Sequence, residues 1–97
     1  MANTVLTRYH DLPGFTTKDN SEIRELMHPA QHGNRRQSLA EARVLPGEQT
    51  RLHRHHETEE LYHVTGGHGF MSLGPRDFGL SSRVTRACPP GAPHCGR

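Results

Sequence analysis

The sequence has no tryptophan, two tyrosines, three phenylalanines and two cysteines. No apolar run approaches the ~18 residues of a membrane-spanning helix. Each shortage excludes something. With 31% hydrophobic residues in a chain of 97, a large core is out of reach. Such a chain is one domain at most and starts marginally stable, so a metal, disulfides or oligomerisation become natural supports. Cys88 and Cys95 are too few for a disulfide framework, and "CPPGAPHC" does not have C-x2-C zinc half-site spacing; they read as reduced thiols. The formal charge is only +2, and Arg35–Arg36 is the sole adjacent basic pair. There is no basic stripe with interleaved aromatics, so no nucleic-acid partner is expected. The start, "MANTVLTRYHDLPG", lacks the charged and apolar regions of a secretory leader. The expectation is a soluble, cytoplasmic protein with no membrane partner.

What the chain has instead is turn formers and histidine. Pro13-Gly14, Pro46-Gly47, Gly66-Gly67, Gly74-Pro75 and Pro89-Pro90-Gly91 divide it into short segments, which predicts an all-β fold. "SEIRELM" (residues 21–27) reads as strand or one helical turn. "RQSLAEARVLPGEQT" reads as a strand ending at Pro46-Gly47, with Ala40, Ala42 and Val44 on one face and Leu39, Glu41 and Arg43 on the other. Its Ala, Leu and Glu content alone favours helix; the turn spacing overrides that. "EELYHVT" alternates, with Tyr62 and Val64 on one face and Leu61 and His63 on the other. "HGFMSLG" (residues 68–74) follows, entered through a Gly66-Gly67 hairpin turn, and "RVTRAC" (residues 83–88) is a weaker strand.

Residues 52–69, "LHRHHETEELYHVTGGHG", hold five of the nine histidines and three glutamates. On a strand, His53 and His55 point to one side and make a two-imidazole clamp. If Tyr62 and Val64 face the core, so does Glu60, and a buried carboxylate is costly unless paired or bound to a cation. Glu60 is therefore the better ligand candidate, with Glu59 as alternative. "HETEE" is not H-E-x-x-H, which excludes the helical zincin arrangement. Near the end, a Pro-Pro-Gly turn leads to His94, another candidate imidazole. Three histidines and one glutamate suit a divalent first-row metal and leave positions open if it is six-coordinate. Tyr62 can line a substrate pocket beside the ion or serve as a core aromatic. His56, His63 and His68 read as surroundings of the cluster, and His10, His28 and His32 carry no signal beyond being polar.

These residues resemble the motifs of the cupin superfamily. The first motif is matched by Gly47, His53-Arg54-His55, Glu60 and Gly67, and a shorter gap would give Glu59 and Gly66. The second is matched by Pro89, Gly91 and His94. Arg83 and Val84 stand where that motif usually carries Gly and Asp. The resemblance spans roughly residues 20–97, leaving 1–19 as an N-terminal arm. It implies an antiparallel β-barrel or jelly roll with its C-terminal closing strands missing after Arg97. It further implies a metal held by His53, His55, Glu60 and His94: iron, manganese, nickel, copper, cobalt or zinc. A homodimer acting on a small-molecule substrate follows from it as well. The expected function is that of a small metal-dependent enzyme, an oxidoreductase of dioxygenase type. A Lewis-acid isomerase or epimerase, or a non-catalytic, shortened cupin that binds a ligand or metal, are the alternatives.

Overall fold

The computed structural model of the chain describes residues 5–18, 21–52 and 54–97, with Cys95 described by its backbone alone. The fold is all-β and antiparallel. No helix is long and apolar enough to cross a membrane. The chain divides into two compact units, residues up to Arg43 and Val44–Arg97.

In the first unit, β1 (Gly14–Thr16), β2 (Glu22–Met27) and β3 (Leu39–Arg43) form one sheet in that order. Phe15 pairs with Ile23 and Ile23 with Ala42; the β2–β3 register shifts between Glu25 and Met27. "LAEAR" is a strand despite its helix-favouring composition, because pairing with β2 supplies what propensity does not. The two expected faces of β3 are not divided into buried and exposed: Leu39 is 62% exposed, and Glu41 is the least exposed strand residue, accepting a hydrogen bond from the Tyr9 hydroxyl at 2.7 Å. Within the stretch expected to be an arm, Gly14–Thr16 forms β1. The Thr7 hydroxyl donates to the Leu26 carbonyl at 2.6 Å, and Arg24 donates to the Tyr9 carbonyl at 2.9 Å while lying over the Tyr9 ring.

Between β2 and β3, the single turn α1 (Pro29–His32) is held by two histidines the sequence did not single out. His28 Nδ1 accepts from the Ala30 amide at 3.0 Å, and His32 Nδ1 accepts from the His28 amide at 2.9 Å. This is the reciprocal logic of a capping box, with imidazoles in place of hydroxyl and carboxylate.

In the second unit, β4 (Glu60–His63) pairs with β7 (Thr85–Cys88), and β5 (His68–Leu73) lies between β6 (Arg76–Ser81) and β8 (His94–Gly96). The expected hairpin at Gly66-Gly67 is not there. β4 and β5 belong to different sheets: Val64 extends the β4–β7 ladder through backbone bonds with Val84 and Arg83, and the glycines carry the chain across to β5. The β4 parity is as expected, with Glu60 and Tyr62 half-buried and Leu61 and His63 exposed. Met71, Cys88 and His94 are buried at 1% exposure each. Cys88 Sγ lies 3.7 Å from Met71 Sδ, a contact that joins the two sheets of this unit.

Candidate metal centre

Glu60 opens β4 on its inward face, opposite Cys88. His94 opens β8 opposite Leu73, on the same face of β5 as Met71. His55 lies between the strands, so the expectation that His53-Arg54-His55 is a strand does not hold for its described residues. The segment is tied to β8 and its approach by isolated bonds rather than a ladder. Thr50 N–H donates to the Gly96 carbonyl, Gly96 N–H donates to the Thr50 hydroxyl, both at 2.8 Å, and Gly91 N–H donates to the His55 carbonyl at 2.6 Å. The last of these couples the two loops that carry His55 and His94.

One carboxylate oxygen collects both imidazoles. Glu60 Oε2 lies 3.0 Å from His55 Nε2 and 2.9 Å from His94 Nε2. His94 Nδ1 sits 3.0 Å from the Ala92 carbonyl, which can only accept, so Nδ1 carries a proton. A neutral His94 then turns a lone pair from Nε2 toward a carboxylate oxygen. That contact is satisfied by a proton between the two atoms, on the ring or on the carboxyl, or by a cation between the donors. Both separations are those of ordinary hydrogen bonds and are also short enough that one ion would be held by His55, Glu60 and His94 together. A histidine whose other ring nitrogen is fixed by a carbonyl is also the usual form of a metal-bound imidazole. The three donor atoms lie within 4.8 Å of one another, and the donor set fits a divalent first-row ion.

Partial burial would by itself raise the Glu60 carboxyl; its hydrogen bond to His94 and the imidazole charges outweigh this and hold it below the ordinary carboxylate range. Burial, reinforced by the Glu60 charge, pushes the Cys88 thiol up, so Cys88 stays a protonated, free thiol at neutral pH.

The structure thus brings together His55, Glu60 and His94. His53 lies outside the described residues. Glu59 is exposed and not part of the group. Tyr62 packs its ring edge-on against His94, with centroids 5.8 Å apart, forming a wall of the site. His63 faces the other side and shares a 2.7 Å hydrogen bond with Thr85. Sequence reasoning missed the Ala92 carbonyl and the Gly91–His55 bond. Backbone partners leave no residue-type signal, although the Pro-Pro-Gly turn before His94 was a cue that the backbone there is fixed.

No family model matches this chain, and no solved structure does. Over 90 residues it is 41% identical to an archaeal protein of Methanocaldococcus jannaschii, described as uncharacterized protein MJ1618. The match covers 93% of this chain and 72% of the relative. The chain belongs to the same protein family as that archaeal protein.

Proposed function

We propose that this is a small cupin-type protein in which His53, His55, Glu60 and His94 hold one divalent transition metal, and that it works as a metal-dependent oxidoreductase of dioxygenase kind on a small organic substrate. The observation that carries this reading is the single carboxylate oxygen facing two imidazole nitrogens at 3.0 and 2.9 Å, one of them on a buried ring whose proton is committed to Ala92. The backbone at the motif positions supports it. Gly47, Gly67 and Gly91 all adopt positive φ, 82°, 81° and 80°, and Arg83, standing where the motif usually has Gly, is the one non-glycine at positive φ, 73°, among the described residues. The motif glycines therefore sit where side chains are disfavoured, and Arg83 bears that cost. Arg83→Gly is expected to stabilise the protein by roughly 0.5–1 kcal/mol, the left-handed penalty less the added freedom of the unfolded glycine. A thermal melt reads this as a Tm a few degrees higher; an unchanged or lower Tm counts against the strain.

The ion, when bound, supplies Lewis acidity to a substrate oxygen and, if redox-active, one-electron chemistry with dioxygen. The chain's own part is to hold it. Ala92 fixes the His94 ring, Glu60 contributes the negative charge, and Tyr62 covers one side of His94. Mass-spectrometric metal analysis of protein purified without an affinity tag, beside a His53→Ala/His55→Ala double variant, tests this. About one iron, manganese, nickel, copper, cobalt or zinc per chain, lost in the variant, is the expected result. No stoichiometric metal after loading with each candidate overturns it.

A further inference from the structure

The face of β4–β7 that carries Glu60 also carries a guanidinium. Arg86 pairs directly with Tyr62, and residues directly opposite in an antiparallel pair share a face. Arg86 is half-buried while its neighbours Thr85 and Ala87 are exposed. Its guanidinium carbon lies 3.8 Å from the centroid of the Phe78 ring on β6, and Phe78 pairs with Met71, the residue that touches Cys88. The charge is therefore held inside the second unit, against an aromatic face. Arg43 and Arg97 are engaged by Glu22 and Asp77, and Arg24 by the Tyr9 carbonyl. Arg86 has no carboxylate within ion-pair distance among the described residues. A guanidinium stacked on a ring keeps its planar edge for a carboxylate, which it grips through two parallel hydrogen bonds.

Charge bookkeeping points the same way. Neutral imidazoles, one carboxylate and a divalent ion leave the centre with one positive charge, and Arg86 adds a second on the same face. We propose that Arg86 anchors the carboxylate of a short oxo- or hydroxy-acid whose second oxygen reaches the ion at His55, Glu60 and His94. The proposal rests on the metal-site reading above. Glu60 lies two residues from Tyr62 along β4, a strand distance of about 7 Å, so the positions of Glu60 and Arg86 are neighbours on one face of the β4–β7 pair.

The test uses the full chain loaded with cobalt(II), with cobalt content measured on every sample. A series of 2-oxo monocarboxylic acids from glyoxylate to 2-oxobutyrate is titrated, each beside its neutral amide, and binding is read by calorimetry and the visible cobalt spectrum. At least one acid is expected to bind about ten- to a hundredfold tighter than its amide. Arg86→Gln is expected to erase that preference at unchanged cobalt content, and Arg86→Lys, which keeps the charge without the fork, to retain part of it. If no acid is preferred over its amide, or if Arg86→Gln or Arg86→Lys binds the acids as tightly as the unaltered chain, the anchor is overturned while the metal site stands. If no cobalt loads, the metal reading falls and the anchor with it.

Discussion

Glu60→Gln is expected to remove most or all of the response of the protein to metal. If the unaltered chain binds a divalent ion at the proposed site, the ion at about a hundred times its Kd would stabilise the folded state by about 2.7 kcal/mol. For a domain of this size that raises Tm by roughly 10–20 °C. The substitution keeps the shape of the side chain and removes the charge on the one oxygen that both His55 and His94 address. The ion then has neutral donors only and an amide in place of an anion, and the metal-dependent rise in Tm should shrink to a few degrees or vanish. Melting curves with and without zinc or cobalt for both proteins decide this. An equal rise in Glu60→Gln would place the ion elsewhere. Acid should act in the same direction as the substitution, because metal binding displaces protons from the imidazoles and weakens as they become protonated. The sign for Glu60 itself is separate. Its folded carboxyl is held below the ordinary 4.5, so its contribution to stability is present above that pH and lost as the pH falls through the lowered value.

Gly69→Ala is expected to be the most damaging single methyl group in the second unit. A Cβ at Gly69 runs into the backbone carbonyl of Arg97. That carbonyl accepts from Phe70 N–H at 2.7 Å, and Arg97 N–H donates to the Phe70 carbonyl at 2.8 Å, so moving the obstacle breaks bonds that continue the β5–β8 pairing. Overpacking of this kind costs about 1–3 kcal/mol, a fall in Tm of roughly 5–20 °C. His94 rides on β8, so displacing that strand should also weaken metal retention, which a structural fault elsewhere would not do. Gly79→Ala is the control. It lies in the same sheet, opposite Phe70, with nothing within 4 Å of its added Cβ. If both variants melt alike and hold metal alike, β8 does not pair with β5 as described.

How much of this was legible in the residues depends on what kind of partner each one has. The all-β character followed from the Gly and Pro spacing, and the inward orientation of Glu60 followed from the alternation of Tyr62 and Val64, because period-two patterning is a property of one strand alone. β6 was not foreseen: "RDFGLS" carries an Asp and a mid-strand Gly, both poor strand formers, and becomes a strand through its register with β5 across the Gly74-Pro75 turn. β8, three residues long, exists only as a partner of β5. The Gly66-Gly67 turn joins strands of different sheets for the same reason. A two-glycine turn says that the chain reverses or bends, not which strand the next segment joins. His55 was expected on a strand, and its position instead depends on Gly91, 36 residues later, through a backbone bond that no side-chain pattern records. The reciprocal caps of His28 and His32 were invisible because histidine is not among the usual capping residues.

The bond from Gly91 to the His55 carbonyl holds together two parts of the chain that a bound ion would fasten again through His55 and His94. With so few buried apolar side chains among the described residues, the ion would then serve as a reversible cross-link. It would close a loop of about 40 residues, and a covalent bridge over that span removes roughly 4 kcal/mol of unfolded-state freedom. Unlike a disulfide, such a link needs no oxidising surroundings and is undone by a chelator, so the folding of this chain would track the supply of its metal rather than the redox state of its compartment.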